Sequence, residues 1–262
     1  MRLAWLGQAG FAIRSGGRCI IIDPYLSDTL AEKYKGKEFP HIRMMPAPVM
    51  ARDIRRVDAV LCTHRHTDHM DPGTLPVLAR NGCAAFVFPH AEETRAAEMG
   101  FAASCMRPVN AGDVIRLNDH FEIKALPAAH EQITVNEQGE HHCLGYIIRM
   151  GGVVVYHSGD CAPFDDLAAL LRLEQPDIAL LSVNGRDDYR RSRGILGNFT
   201  FEEARKVCAD AGIPFLVAHH FGMFDFNTVD IDALEGDMGS TPPPPECIIP
   251  EPGILICIKT CH

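Results

Sequence analysis

The chain has 262 residues, of which 47% are hydrophobic and 23% charged, and its formal net charge is −9 at pH 7. This composition is ordinary for a globular protein, and no apolar run approaches the roughly 20 residues that a membrane-spanning helix needs. The acidic balance argues against non-specific nucleic-acid binding, because that binding depends on Lys and Arg side chains that neutralise phosphates. We therefore expect neither a nucleic acid nor a membrane among the partners.

The cysteines indicate the cellular compartment. All ten are spaced singly, without a Cys-x-x-Cys pair, and several lie in apolar runs, where a thiol behaves as a small hydrophobe. The N-terminal residues also lack the long apolar segment and the cleavage site of a signal peptide. Free thiols in a reducing cytosol are the simplest interpretation, so we expect a cytoplasmic protein.

The N-terminal third predicts a strand-rich start followed by β/α units. Apolar runs bounded by turns indicate strands at Leu3–Leu6, Phe11–Arg14 and Cys19–Asp23. A helix is predicted after Pro48, because Val49, Met50, Ile54 and Val57 are spaced for one helical face. This part is completed by a strand ending at Thr63, a helix near Thr74–Arg80, a strand at Ala84–Phe88 and a short helix at Ala91–Met99.

The middle of the chain is predicted as strands, and the last third alternates between helices and strands. The middle strands are Asp113–Leu117, His120–Leu126, Cys143–Met150 and Val153–His157, with a hairpin turn at Gly151 and Gly152. The last third has helices near Phe164–Leu173 and at Phe201–Ala211, and strands at Ile178–Val183, Phe215–Ala218 and Gly253–Thr260. Thr200 and Glu203 have the spacing of a capping box.

This order of elements favours one domain over residues 1–262, since no linker-like segment occurs before Gly239. Two β-rich parts with helices between them indicate an α/β fold in which two β-sheets pack face to face under helices, an αββα sandwich. The run from Pro242 to Pro245 must be extended. It could strap a partner or simply connect two elements, and we favour a connection.

The most informative motif spans Thr63–His69 and has the pattern His-x-His-x-Asp-His. A buried strand precedes it and the turn at Met70–Gly73 follows. A strand that presents alternate histidines, followed by a loop that turns Asp68 and His69 inward, can hold two divalent metal ions. A solvent-exposed His-rich loop is the alternative, and the spacing after an apolar strand disfavours it.

Three later positions could complete a metal site, each at the end of a predicted strand. They are His130, Asp160 and the pair His219-His220. Active sites of α/β proteins gather at such strand ends. Singly, each has an ordinary alternative as a structural histidine or a turn residue, but their combination with the loop favours metal binding. Only one of His219 and His220 can face the site, because adjacent side chains on a strand point to opposite faces.

With these motifs the chain resembles hydrolases of the metallo-β-lactamase fold over nearly its whole length. The resemblance is carried by the histidine loop, His130, the turn Gly159-Asp160, His220 and the N-terminal runs Trp5–Phe11 and Ile22–Leu26. Within that family the chain is most similar to the L-ascorbate-6-phosphate lactonase group, through Val183–Asp187, Ile195–Asn198 and His220-Phe221. The resemblance implies the two-sheet sandwich and a binuclear, metal-dependent hydrolase.

The resemblance also assigns ligands. It places His64, His66 and His130 on the first metal, Asp68, His69 and His220 on the second, and Asp160 between both. Asp23 would support the loop by hydrogen bonds, although a plain turn before Pro24 fits equally. Gln8 stands where many relatives have His, so we assign it no metal role. The lactonase group implies manganese and the wider family zinc, so the expected cofactors are two divalent ions, Mn²⁺ or Zn²⁺.

The expected chemistry is hydrolysis. Two metals roughly 3.5–4 Å apart can hold one hydroxide between them, because a metal lowers the pKa of bound water to about 7. That hydroxide would attack a carbonyl carbon or a phosphorus atom. Asp68 would orient it and pass its proton to the leaving group, although Asp68 could instead act as a ligand only. The chain has neither a Gly-x-Ser-x-Gly elbow nor a phosphate-binding loop that would compete with this chemistry.

The expected substrate is a small anion. An arginine-rich run follows a predicted strand, and Asn184, Arg186 and Arg190 are the candidates for holding a phosphate or carboxylate. A solvated loop balanced by Asp187 and Asp188 is the alternative. A lactonase acting on a phosphorylated sugar lactone comes first, and a phosphodiesterase acting on a phospholipid or nucleotide-type diester second. A metal-binding module without activity is the third hypothesis, and a homo-oligomer stays open.

Overall fold

Two β-sheets form the centre of the structure, a computed structural model that describes residues 1–118, 121–230, 232 and 245–258. The first sheet contains β1 (Arg2–Gly7), β2 (Gly10–Ser15), β3 (Arg18–Ile22), β4 (Ala59–Leu61), β5 (Ala85–Pro89), β6 (Met106–Val109) and β14 (Leu255–Cys257). Their order across the sheet is β14-β1-β2-β3-β4-β5-β6.

The second sheet contains β7 (Val114–Asn118), β8 (Phe121–Pro127), β9 (Leu144–Met150), β10 (Val153–His157), β11 (Ile178–Ser182), β12 (Phe215–His219) and β13 (Glu246–Ile248). Their order is β13-β12-β11-β10-β9-β8-β7. Gly151 and Gly152 form the turn of the β9–β10 hairpin, and both adopt the positive φ that such a turn requires.

The described residues also form helices, some of which flank the two sheets. They are α1 (Thr29–Lys33), α2 (Leu75–Arg80), α3 (Glu93–Ala97), α4 (Leu167–Glu174), α5 (Asp188–Arg191) and α6 (Phe201–Ala211), with 3₁₀ turns at Ala51–Asp53, His90–Glu92 and Ala103–Cys105. The predicted capping box is present at α6, where the Thr200 hydroxyl accepts from the Glu203 amide. Within the described part of the chain, every helix is too short or too polar to cross a bilayer.

The strand alternation of β3 shows how the layers are held together. Ile20 and Ile22 belong to the main core between the sheets, whereas Cys19 and Ile21 belong to a second cluster under α2 and α3. Ile20 and Ile22 are both fully buried. Each such side chain contributes roughly 1.5–3 kcal/mol when it leaves water. The predicted αββα sandwich is therefore confirmed.

Parallel pairing brings several strand ends to one edge of the molecule. β3 runs parallel to β4 in the first sheet, and β10, β11 and β12 run parallel in the second. The two sheets are joined at this edge by the Leu144 amide, which donates to the Thr63 carbonyl over 2.9 Å, and by the Tyr146 hydroxyl, which donates to the Cys62 carbonyl over 2.9 Å. Side chains that follow these strands therefore converge.

The predicted helix after Pro48 is wrong. Only the 3₁₀ turn at Ala51–Asp53 forms there. Met50 is 55% exposed, and Arg56 adopts a φ of 58°, which no right-handed helix accommodates. Ile54 and Val57 are buried as expected, but they reach the second cluster from a non-helical segment.

Several other features differ from the prediction or cannot be compared with it. The sequence analysis gave no element at α1, α5, β6 or β13. The predicted strand His120–Leu126 is present as β8, and only its first residue, the end of the predicted strand at Thr260 and most of the proline run from Pro242 fall outside the described residues. The nine cysteines of the described residues are all free, as expected.

Candidate metal centre

The structure brings the seven predicted ligands together in two adjoining groups. His64, His66, His130 and Asp160 form the first, and Asp68, His69 and His220 the second, and the donor atoms within each group lie within 4.8 Å of one another. The sequence separates these residues widely, and the strand ends described above place them side by side. Their assignment as metal ligands stays a prediction.

Hydrogen bonds within the protein hold the loop after β4 in place. Two carboxylate oxygens of Asp23 accept hydrogen bonds from the Thr63 amide, over 2.8 Å, and from the Thr63 hydroxyl, over 2.7 Å. The loop then closes on itself, because the Met70 amide donates to the His66 carbonyl over 2.8 Å. These bonds fix where the histidines of the loop point.

The first group is built from rings in mutual contact. The centroid of the His64 ring lies 4.6 Å from that of His66 and 5.3 Å from that of His130. His64 Nε2 is buried and has no hydrogen-bond partner among the described residues. Burial lowers the pKa of His64 well below its usual value, and it lowers the pKa of His130 to about 4. Both rings are therefore neutral near pH 7, which is the form that binds metals.

Asp160 lies between the two groups. Its Oδ1 is 3.2 Å from His69 Nε2 and 3.1 Å from His220 Nε2, both in the second group. Its Oδ2 is 3.8 Å from His130 Nε2 in the first group. The carboxylate thus presents one oxygen to each group, which is the geometry that a bridging ligand needs.

Asp23 supports the second group through His69. Its Oδ2 lies 2.8 Å from His69 Nδ1, and both side chains are fully buried. A histidine that donates its Nδ1 proton to a carboxylate presents Nε2 as a basic, oriented lone pair, and this arrangement is common behind metal-binding histidines. Of the two interpretations from the sequence, the structure favours the supporting role over a plain turn residue.

The charge of the centre fits cations. Burial pulls the pKa of His69 down, but the carboxylates of Asp160, Asp23 and Asp68 reverse this effect and hold that pKa well above its usual value. Three buried or half-buried carboxylates thus converge on one imidazole, which leaves an excess of negative charge that bound cations would offset. His69 Nε2 and Asp160 Oδ1 also lack a hydrogen-bond partner within the described residues. Imidazole and carboxylate donors with this excess of negative charge suit divalent ions.

The adjacent histidines His219 and His220 point in different directions, as the sequence predicts. His219 ends β12 and points into the core, where its ring stacks on His157 with centroids 4.9 Å apart. His220 joins the second group instead. It follows the strand with a φ of 65°, so a left-handed turn as well as strand alternation sets its direction.

Gln8 has a role that the sequence analysis missed. It follows β1 in a left-handed conformation and is fully buried. Its Nε2 donates to Asp68 Oδ2 over 2.8 Å and lies 3.1 Å from His220 Nε2. Its backbone carbonyl accepts from the Trp5 indole and the His220 amide. Gln8 lies within the run Trp5–Phe11, which carries the family resemblance, and no local pattern in that run indicates these contacts.

His157 is a second residue that the sequence analysis did not assign. Its Nδ1 accepts from the Gly159 amide over 3.0 Å, so Nε2 carries the proton that bonds the Ala9 carbonyl over 2.8 Å. Gly159 itself packs against the histidine loop, because a Cβ there would lie 2.6 Å from the Thr63 Cβ. These contacts fix the turn that presents Asp160.

The three predicted substrate-binding residues lie elsewhere. Both terminal nitrogens of Arg186 donate to the Glu203 carboxylate over 2.6 Å, and this ion pair ties the 183–198 segment to the start of α6. Arg190 donates to the Asn184 carbonyl and to Asn227 Oδ1, each over 2.9 Å. None of Asn184, Arg186 and Arg190 lines the cavity over the centre. In this structure the three residues contact their neighbours rather than the cavity, so their role in substrate binding stays a prediction.

A cavity of about 990 Å³ opens over both groups. His66, Asp68, His130, Asp160 and His220 form its floor. The cations that line it are Lys33, Lys37, Arg65, Arg95 and Arg193. Arg95 is paired with Glu98 and Arg193 with Glu38, whereas the described residues place no carboxylate within ion-pair distance of the other three. The cavity therefore offers an anion unpaired positive charge close to the centre.

Known proteins are similar to this chain over most of its length. Residues 18–221 match the family profile described as the beta-lactamase superfamily domain. A protein of Methanoculleus marisnigri named UPF0173 metal-dependent hydrolase is 30% identical over 229 residues, which cover 86% of this chain and 82% of that protein.

Two solved structures have the same fold. The metallo hydrolase Igni18 from Ignicoccus hospitalis superposes with a TM-score of 0.70 at 22% identity, covering 98% of this chain and 99% of that one. The isothiocyanate hydrolase from Delia radicum gut bacteria superposes with a TM-score of 0.73 at 20% identity, covering 99% of this chain and 100% of that one.

Proposed function

This chain belongs to the beta-lactamase superfamily and is a metal-dependent hydrolase, and we propose that it uses two divalent ions to hydrolyse a small anionic lactone. The observation that carries the two-ion proposal is the position of Asp160, whose two oxygens face different groups of imidazoles. A single-ion centre would need only one of these groups.

The residues would divide as the family resemblance predicts. His64, His66 and His130 would hold one ion, and Asp68, His69 and His220 the other. Asp160 would contact both. Ions bound there would lower the pKa of a coordinated water to about 7 and polarise the substrate oxygen. Mn²⁺ and Zn²⁺ both accept such nitrogen and oxygen donors.

Asp68 is the residue that we assign to proton transfer. It is half-buried at the floor of the cavity, and Gln8 occupies its Oδ2, which leaves Oδ1 without a protein donor among the described contacts. In hydrolysis the hydroxyl oxygen bonds to the acyl carbon and the ring C–O bond breaks. Asp68 would carry the proton from the attacking water to the released oxygen.

The anionic part of the substrate would face the unpaired cations of the cavity. Arg65 lies between two proposed ligands in the histidine loop, and Lys33 and Lys37 line the cavity from the end of α1 and the residues after it. This set replaces the arginines that the sequence analysis favoured. A lactone with a phosphate or carboxylate group is the substrate class that such a cavity favours.

Phosphodiester hydrolysis is the second candidate. The same water can attack phosphorus, and a diester carries the negative charge that Lys37 and Arg65 would attract. The lactone remains the first choice because the resemblance of the Val183–Asp187 and Ile195–Asn198 runs is to a lactonase group.

The test combines metal analysis with a substrate panel. Protein from manganese- or zinc-supplemented cells is analysed for bound metal and assayed on a phosphorylated sugar lactone and on a phosphodiester. About two ions per chain with lactone opening, both lost in Asp160→Ala, would support the proposal. The matched control is Asp165→Ala, because Asp165 is exposed and lies outside the centre. Diester cleavage alone would promote the second candidate, and absence of bound metal would refute both.

A further inference from the structure

One wall of the cavity over the centre is aromatic. Tyr34, Phe39 and His41 come from the segment after α1, and Phe224 and Phe226 come from the segment after His220. We call these five residues the aromatic wall. They are in mutual contact: ring centroids lie 4.2 Å apart for Tyr34 and His41, 4.7 Å for His41 and Phe226, and 4.9 Å for Phe39 and Phe226.

The wall is built like a binding surface rather than a core. Phe224 is 2% exposed and packs with Tyr25, Leu30 and Met223 in a small cluster behind the wall. Tyr34, Phe39 and Phe226 are only half-buried and line the cavity in front of that cluster. Ring surface that stays in contact with water is unfavourable until another apolar surface covers it. The backing cluster therefore holds open rings in place for a ligand.

The wall lies on the side of the second group. Its Phe224 and Phe226 follow His220 in the same segment. Burial lowers the pKa of His41, and the nearby Asp68 carboxylate opposes this effect, which places His41 close to the second group. The neighbouring cavity of about 570 Å³, which reaches His64, His66 and His130, contains none of the wall residues. A substrate whose scissile bond lies over the centre would thus extend along the wall in one direction only.

The wall also offers few hydrogen bonds. His41 Nδ1 is already 2.6 Å from the Phe39 carbonyl oxygen, and the three phenylalanines have no polar side-chain atoms, so the Tyr34 hydroxyl and His41 Nε2 are the polar side-chain atoms that remain on the wall. A sugar would leave most of its hydroxyl groups unpaired there, which is costly when they lose water. The cavity of about 990 Å³ is near the upper end of the roughly 300–1,000 Å³ that ligand sites occupy, so it has room beyond a small ring.

We propose that the aromatic wall is a subsite for a flat aromatic ring, so that the substrate is a lactone or ester carrying an aryl group beside its anionic group. This inference rests on the proposed function. The ring would pack against Phe226 and the edge of Tyr34, whose own ring stacks on His41 and lies under the Lys33 ammonium, while the anionic group faces Lys33, Lys37 and Arg65. Stacked or edge-on aromatic pairs add about 0.5–1.5 kcal/mol beyond the area that they bury, which corresponds to roughly 2- to 12-fold in affinity.

The experiment compares dihydrocoumarin with δ-valerolactone, which share a six-membered lactone ring and differ by a fused benzene ring. Each variant is compared with wild type on the same substrate, so the difference in leaving group cancels. Phe226→Leu and Tyr34→Leu should each lower kcat/KM for dihydrocoumarin roughly 2- to 12-fold and leave δ-valerolactone unchanged. Phe101→Leu is the control, because Phe101 stacks on Phe86 outside the cavity with centroids 4.3 Å apart.

The outcomes separate the subsite from the proposed function. If both lactones are hydrolysed and the two variants lower them equally, or lower neither, the subsite is refuted. If neither of these uncharged lactones is hydrolysed, the lactonase proposal is decided by the phosphorylated lactone of the preceding section, and calorimetry on the metal-loaded protein decides the subsite by comparing the anionic ring-opened products, 3-(2-hydroxyphenyl)propanoate and 5-hydroxypentanoate. Tighter binding of the aryl product that Phe226→Leu abolishes would keep the subsite, and equal binding would refute it.

Discussion

Replacing Asp23 with Asn should weaken one of the two metal sites selectively. The substitution keeps the shape of the side chain but removes its charge and turns one acceptor into a donor. Asp23 Oδ2 accepts from His69 and Thr63, and Oδ1 accepts from the Thr63 amide. In the variant an amide NH₂ must face either the Thr63 amide or the pair formed by the Thr63 hydroxyl and His69. One donor then stays unpaired, or His69 changes its tautomer.

The magnitude follows from these contacts. A hydrogen bond to a charged group contributes about 1.5–3 kcal/mol, and loss of a carboxylate behind a metal-binding histidine costs about 10- to 100-fold in metal affinity. Asp23 contacts His69 directly and reaches His64 of the first group only through the Thr63 hydroxyl, which lies 3.1 Å from His64 Nδ1, so the larger loss should fall on the second group. We expect the affinity of the second ion to drop by that factor and the affinity of the first ion to change less than about threefold, which is about 0.6 kcal/mol.

Stepwise titration of metal-free protein with Zn²⁺ against a competing chelator measures both affinities. The control is Asp58→Asn, because Asp58 accepts from Arg18 and from the Cys19 amide far from the centre. Wild-type affinity at both steps in Asp23→Asn would refute the supporting role of Asp23, and equal weakening of both steps would show that the groups are not separate sites.

Further changes test the turn before Asp160, the 183–198 segment and the donor to Asp68. Gly159→Ala should cost about 1–3 kcal/mol more than Gly16→Ala in urea unfolding, because both glycines have a φ of 57° but only Gly159 faces the Thr63 side chain. Equal costs would mean that the contact between Gly159 and the Thr63 side chain does not affect the free energy of unfolding. Arg186→Met should lower the free energy of unfolding at pH 7 by about 1 kcal/mol, discounted for partial exposure, without abolishing hydrolysis. Because the hydrogen bond from Arg186 holds the pKa of Glu203 below its usual value, this contribution is complete above about pH 4.3 and disappears as pH falls through the lowered pKa, so the wild-type and variant stabilities should converge in acid. A gap that persists in acid would contradict the ion-pair account. Gln8→Leu removes a neutral donor from a carboxylate and should weaken the second ion by about 10-fold, with wild-type affinity as the contrary result.

The sequence was sufficient for the centre because its signal is local. Four of the seven residues lie in one loop, and the others follow apolar runs that strand periodicity identifies. Parallel strands bring such ends to one edge of the sandwich. His130, Asp160 and His220 could therefore be grouped from the positions of the predicted strands alone.

The contacts of Arg186 and Gln8 could not be predicted in this way, because their partners are distant in the chain. Arg186 is occupied by Glu203, and Gln8 reaches Asp68 and His220 across the fold. No local pattern tells whether an arginine is free or paired. The helix expected after Pro48 failed for a related reason, since the spacing of Ile54 and Val57 fits a helical face as well as the irregular segment that actually buries them.

The central claim is that two ions share Asp160, and anomalous diffraction from crystals grown with Mn²⁺ or Zn²⁺ tests it most directly. The account predicts two anomalous peaks per chain, one among His64, His66 and His130 and the other among Asp68, His69 and His220, with one Asp160 oxygen facing each peak. A single peak at saturating metal, or two peaks that leave Asp160 uncoordinated, would contradict it.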